Sequence, residues 1–372
     1  MNMGKLIEQK NTLRALKANQ ERIMDNKFEP DVKLDFCDVL IVPKSTRVGS
    51  RKEVNLKTSL QFRKARFSLP CVPVCASNMD GVGTVSMGQK LATHSMLTTL
   101  TKYTTMKVFE DQNYKKSDYI FGTFGLDDDS KSILFNENLE KYFSTICLDV
   151  ANGYMDKFLD FVYVVRKRWP NMGILAGNVV TPEGVYETAR AGADFVKVGI
   201  GSGSVCTTRR VAGIGYPQLS ALLECRSAAE ESGCGVVSDG GCVHPGDVSK
   251  AFAAGAEIVL LGGMLAGHDE GADDGVFIDD GEKRRFVFSG SSSSRALKKI
   301  GNNSKYRTSE GRVVIMDAKG PVEETVNHIL GGLRSTCSYT NCFDLKDLFT
   351  NSKFIRVNRQ LNEYFEHHTI GV

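Results

Sequence analysis

"TPEGVYETARAGADFVKVG" at residues 181–199 and "HPGDVSKAFAAGAEIVLLG" at residues 244–262 follow one plan, 63 residues apart. Pro182 matches Pro245, Gly192 matches Gly255, Asp194 matches Glu257 and Gly199 matches Gly262. Each segment opens with proline in the first turn of a helical pattern, stops at Ala-Gly-Ala and enters a short apolar run. Similar runs occur in "PVCAS", "TICLDVA", "GILAGNV" and "GVVSDGG". They are continuously apolar rather than alternating, so both faces are covered, as in a parallel sheet. Strands alternating with helices read as βαβ units. A unit repeated about two βα steps later predicts an α/β fold, a closed (β/α)8 TIM barrel. A doubly wound open sheet remains the alternative on periodicity alone.

The chain has 372 residues, 41% hydrophobic and 24% charged, with a net charge of +3. Barrels of this class use 250 residues or more as one unit, and a core of that size supports a rigid cleft. The charge balance gives no bulk attraction to nucleic acid or membrane. No apolar run is long enough to span a bilayer. The first residues lack the apolar core of a secretory signal, and Glu8, Glu21 and Asp25 argue against a transit peptide. A solvated helical extension over residues 1–30 is expected, then one catalytic barrel over 31–360 and a tail over 361–372. Ten cysteines fit neither a zinc pattern nor a disulfide scaffold. Most sit among apolar residues as core thiols, which implies a reducing, cytoplasmic setting.

Residues 267–312 break the rhythm. "GVFIDDGEKRRFVF" reads as a β-hairpin turning on Asp-Gly, and the polar Gly/Ser/Asp-rich remainder has little core potential. A mobile flap over the barrel mouth is expected there, with a disordered surface loop as the alternative.

Barrel enzymes work at the C-terminal ends of their strands. Here those ends carry Asp149 and Asn152, Asn178, then Asp239 with Gly240 and Gly241, and finally Gly262 and Gly263. The last two glycine pairs fit a phosphate cradle of backbone N–H groups, and Asp239 suits sugar hydroxyls. "VGIGSGSVCTTRR" at 198–210 sets Cys206 apart from the other thiols: Gly, Ser, Thr and Arg replace apolar neighbours. Nearby arginines and amides favour thiolate, so Cys206 is a candidate nucleophile, with a structural cysteine as the alternative. Thr207 and Thr208 can relay a proton but need an acid or base, for which Glu310 in the flap is the best candidate. Carbonyls of the glycine loop suit a monovalent cation.

Taken together, "GIGSGSVCTTRRVAGIGYPQLSA", "LDVANGY", "AGNVVT", "SDGGC", "LGGMLAG", "YRTSEG" and "LGGLRSTCSY" closely resemble the GMP reductase family, sister to the IMP dehydrogenases. The resemblance runs from Lys33 to about Phe354. It implies reductive deamination of GMP by NADPH to IMP, ammonia and NADP⁺ in purine salvage, through a Cys206 thioimidate at C2 of the purine. Thr208 with Glu310 would protonate the leaving ammonia. Asp239, Gly240, Gly241, Gly262 and Gly263 would hold ribose and phosphate, with Gly290, Ser291, Ser292, Arg307 and Gly311 closing around the nucleotide. Lys102, Asp149, Val150 and Ala151 would line the nicotinamide side, with Asn178 and Tyr306 also on the cofactor. Ser50, Arg51, Ser335, Thr336, Cys337 and Ser338 would hold the rest of NADPH, partly across a subunit boundary of a homotetramer. Gly201, Gly203, Cys206 and Arg209 match the family's monovalent-cation (K⁺) loop.

Three departures stand out. Ser202 takes the place of a proline, Ser291 takes the place of a methionine, and "FGTFGLDDDS" differs from the family pattern. An IMP dehydrogenase would need an Arg-Tyr pair in the flap, and between Ser291 and Glu310 there is only the reverse order. A nucleotide binder without turnover and another phosphate-binding barrel enzyme are further alternatives.

Overall fold

A computed structural model describes residues 27, 29, 31–279, 281, 283–290, 293 and 308–358. Nearly all of the expected N-terminal extension, the whole expected tail over 361–372, and Ser291, Ser292, Tyr306 and Arg307 lie outside the described residues. The chain divides into two compact units, Met1–Lys33 and Leu34–Val372. In the first, the Lys33 ammonium pairs with Glu29 at 2.6 Å.

The second unit begins with β1 (Val39–Ile41), then a hairpin of β2 (Thr58–Phe62) and β3 (Phe67–Cys71). Eight parallel strands follow: β4 (Val74–Ala76), β5 (Leu97–Thr99), β6 (Ile120–Phe124), β7 (Thr145–Asp149), β8 (Gly173–Val179), β9 (Phe195–Val198), β10 (Gly235–Asp239) and β11 (Ile258–Leu261). They pair in that order and β11 closes on β4, so the sheet is a closed barrel and not an open one. With flanking helices between strands it is a (β/α)8 TIM barrel. All six strands read from apolar runs are present. β5 and β6 were not legible, because threonine and glycine dilute "MLTTL" and "IFGTF". In the barrel the Thr99 hydroxyl is satisfied by donating to the Ala76 carbonyl at 2.8 Å.

The 63-residue echo is β8–helix–β9 against β10–helix–β11. The helices Pro182–Ala191 and Pro245–Ala253 both carry proline in the first turn. Gly192 (φ 131°) and Gly255 (φ 100°) end them in the left-handed region that favours glycine. Each glycine also lets an arginine of the preceding helix pass: a Cβ would lie 2.6 Å from Arg166 and 3.0 Å from Arg226. Those arginines reach the matched acids, Arg166 to Asp194 at 2.6 Å and Arg226 to Glu257 at 2.7 Å. The repeat is therefore one clamp used twice.

Inside the barrel, Leu97, Phe121, Leu175, Phe195, Val237 and Ile258 form an apolar core with Leu60, Phe62 and Leu69 of the β2–β3 hairpin. Phe62 is fully buried and meets Phe195 edge-on at 4.9 Å. The hairpin thus stoppers one end.

Beyond β11, β12 (Val276–Asp279), β13 (Arg284–Ser289) and β14 (Val313–Asp317) form an antiparallel three-stranded sheet. The expected hairpin is β12–β13, and Gly281 turns it with φ 83°. The segment leading into it is pinned. Asp274 accepts from Thr101 (3.1 Å), Thr104 (3.0 Å) and the Gly81 amide (2.6 Å), while Asp273 accepts from Ser86. The chain ends its described course with the helix Glu323–Tyr339 and β15 (Phe354–Arg356), which pairs with β1.

Candidate active site

Cys206 sits in the loop after β9, half-buried. Its neighbours are backbone groups of the sheet's far end: Cys206 bridges Gly311, the Thr207 amide donates to the Glu310 carbonyl at 2.8 Å, and the Arg312 amide donates to the Val205 carbonyl at 2.9 Å. The Arg312 guanidinium donates to the Ser204 carbonyl at 2.6 and 3.1 Å. Gly290 donates its amide to the Arg312 carbonyl at 3.1 Å, and a Cβ on it would lie 3.1 Å from the Gly311 Cα. Three separate sequence segments are thereby laced into one edge.

That lacing aligns three side chains. The Cys206 thiol donates to Thr208 Oγ1 at 3.2 Å, and the Thr208 hydroxyl donates to Glu310 Oε2 at 2.8 Å. A thiol, a hydroxyl and a carboxylate stand in one hydrogen-bonded line, an arrangement that can carry a proton from a nucleophile to a base. Four other thiols differ in kind. Cys71, Cys147, Cys225 and Cys337 are pushed up to about 12 by burial. Such thiols stay protonated and inert. Arg209 does not face the thiol alone: it donates to Asp35 at 2.9 Å and to the Tyr216 carbonyl at 2.8 Å. Its pKa is raised, chiefly by the Asp35 hydrogen bond.

The strand ends supply the rest. Asp239 ends β10 and accepts from Asn178 Nδ2 at 2.7 Å; the same Asn178 amide donates to the Gly199 carbonyl at 2.8 Å. Ser202 donates its hydroxyl to the Asp239 carbonyl at 2.8 Å, so the residue in proline's place ties the nucleophile loop to β10. Gly240 and Gly241 turn the chain directly after Asp239. Gly263 lies against the nucleophile loop, where a Cβ would come 3.0 Å from Ser204 Oγ, and its carbonyl accepts from Lys319 at 3.3 Å; Gly262 packs on Met79.

On the other side, Lys102 donates to the Asp149 carbonyl at 3.1 Å. Val150 spends its amide on Gly177 and its carbonyl on the Asn178 amide, while Ala151 is exposed. The Asp149 carboxylate pairs with Lys197, whose ammonium also meets Asp239 at 3.2 Å. Burial alone would raise Asp149, but Lys197 and Lys102 outweigh it and hold its carboxyl below the usual range. Burial would likewise lower Lys197, and the two aspartates outweigh that, keeping it well above its ordinary value.

The sequence did not single out Lys197, Arg312 or Asp274. A lysine inside the strand "FVKV" was a visible signal, since a charge amid buried valines requires a partner. Ser50, Arg51, Ser335, Thr336, Cys337 and Ser338 form a separate group. The turn Arg51–Glu53 packs on the helix Glu323–Tyr339, where Thr336 donates to Ser249 at 2.8 Å and Cys337 is buried. Their side chains bond locally instead: Ser50 accepts from the Lys52 amide, Ser335 donates to the Gly331 carbonyl and Thr336 also to that of Gly332. Gly201 precedes, and Gly203 opens, the turn in which the Gly203 carbonyl accepts the Cys206 amide at 3.0 Å. Among the described residues no cluster of His, Cys, Asp and Glu could hold a metal ion, so a cation there would rely on carbonyl oxygens.

A family model described as "IMP dehydrogenase / GMP reductase domain" matches residues 124–367. The chain is 47% identical over 348 residues to "GMP reductase 2" of Mus musculus, covering 91% of this chain and 98% of the mouse protein. It is 46% identical over 346 residues to "GMP reductase 2" of Homo sapiens, again covering 91% and 98%. It is 44% identical over 347 residues to "GMP reductase" of Klebsiella pneumoniae, covering 91% and 99%. With the barrel, the Cys206 line and these likenesses in agreement, the chain belongs to the IMP dehydrogenase/GMP reductase family.

Proposed function

We propose that this enzyme reduces GMP to IMP with release of ammonia, as part of purine nucleotide salvage. The Cys206–Thr208–Glu310 line is the observation that carries the reading. Cys206 Sγ bonds to purine C2 as its proton passes through Thr208 to Glu310. The same proton returns through Thr208 to the C2 amine, which leaves as ammonia, and a thioimidate remains. When bound, NADPH would supply the hydride that reaches C2; the C–S bond then breaks and the thiolate departs from IMP.

Each remaining residue binds or orients. Asp239 accepts from ribose hydroxyls, and the amides around Gly240, Gly241, Gly262 and Gly263 face phosphate. Gly290 and Gly311, with Ser291, Ser292 and Arg307 outside the described residues, complete the nucleotide side. Lys102, Asp149, Val150, Ala151, Asn178 and Tyr306 serve the nicotinamide side; the exposed Ala151 and the Lys102 ammonium fit a polar amide ring there. Ser50, Arg51, Ser335, Thr336, Cys337 and Ser338 take the far end of the cofactor from a neighbouring copy in a homotetramer, which accounts for their separation from Cys206. Carbonyls of Gly201, Gly203, Cys206 and Arg209 hold K⁺, a hard ion suited to oxygen donors. Ten free thiols suit a reducing cytoplasm.

The test is incubation with GMP and NADPH, following absorbance loss and ammonia. Both should change in equal amounts. NADH formation from IMP without GMP turnover would overturn the reading.

A further inference from the structure

The barrel interior changes character along its axis. Below, it is apolar; one layer up, Lys197 of β9 lies between Asp149 of β7 and Asp239 of β10. The lysine side chain is 1% exposed, while those of Asp149 and Asp239 are 22% and 20% exposed. The cation is sealed and its two anions reach the mouth. Burying an ammonium costs heavily unless it is paired, and a hydrophobic residue would fill a barrel strand more cheaply. The neighbourhood is shaped for it. A Cβ on Gly177 would lie 2.7 Å from both the Cβ and the carbonyl of Lys197. Asn178 fixes Asp239 from one side and Lys102 holds the Asp149 carbonyl from the other. The other titratable group facing Lys197 is Cys147 of β7, an uncharged thiol.

Two carboxylates that share a cation become a repelling pair without it, and such a pair tends to hold a proton in common. We propose that Lys197 is a positioning residue. It keeps Asp149 and Asp239 ionised and fixed together, one for the cofactor side and one for the nucleotide sugar. This rests on the nucleotide reading of Asp239 given above.

The test measures GMP binding by calorimetry from pH 6 to 9 for wild type, Lys197→Met and Lys197→Met/Asp149→Asn, with circular dichroism to verify folding. Lys197→Met should bind GMP at least about tenfold more weakly. Its affinity relative to wild type should also vary with pH. The double variant, with one carboxylate left, should return to the wild-type pH profile. Wild-type affinity in Lys197→Met, or a loss constant with pH, would overturn the proposal, as would a double variant that stays pH-dependent. If Lys197→Met does not fold, the double variant decides: folding with restored GMP binding supports the proposal, and failure to fold overturns it. A wild type that does not bind GMP would instead sink the nucleotide reading itself.

Discussion

Cys206 is held by its backbone more than by its side chain. The bridge to Gly311 and the Thr207–Glu310 hydrogen bond fix where the backbone stands, and the thiol donates a hydrogen bond to Thr208. Replacing the sulfur should therefore spare the frame. Cys206→Ala should lower kcat by at least about a thousandfold, with GMP affinity nearly unchanged by calorimetry. Glu310→Gln keeps the shape and removes the carboxylate proposed as base. Ammonia release in rapid-quench assays should slow by roughly a hundredfold to ten-thousandfold. Hydride transfer to a substrate that has no amine to expel should slow less. A Glu310→Gln enzyme releasing ammonia at the normal rate would remove the carboxylate from the mechanism. These three residues were legible because their types and spacing announce chemistry. Lys197 was not, because its meaning depends on Asp149 and Asp239, which are distant in sequence and meet only when β7, β9 and β10 close into one wall.

At the scale of elements, the strands read well wherever their residues were apolar and the turns carried Pro and Gly. β5 and β6 escaped because their buried threonines and glycine look like loop residues; only the folded barrel gives Thr99 the Ala76 carbonyl as an acceptor. In sequence, the segment before β12 reads as the polar start of a mobile flap. Its acids prove to be anchors, since Asp274 holds Thr101, Thr104 and Gly81 together. Asp274→Ala should destabilise that region by about 1–3 kcal/mol. Faster amide exchange over residues 276–289, ahead of the barrel strands, would report it; unchanged exchange would show that the anchor is idle. The β2–β3 hairpin was also unseen, as it works by insertion rather than by pattern. Phe62→Ala should cost about 3–5 kcal/mol in denaturant unfolding.

For the whole molecule, the repeated clamp offers an internal comparison. Asp194 is fully buried and Arg166 nearly so, whereas Glu257 and Arg226 are partly exposed. Breaking the first by Asp194→Ala should cost about 3–5 kcal/mol, because a buried guanidinium loses its partner. Breaking the second by Glu257→Ala should cost about 1 kcal/mol or less. Equal losses in thermal unfolding would contradict the role of burial. Acid stability follows a similar logic. The Asp149 carboxyl is held below its usual range, so its contribution is present above the ordinary aspartate pKa and is lost as pH falls through the depressed value. Asp149→Asn should flatten the fall of Tm between about pH 5 and pH 2.

The Phe62 stopper has one more consequence. A barrel sealed at its base is a cup and not a pipe, so nothing can pass through it from end to end. Whatever this enzyme consumes and whatever it makes must share a single doorway.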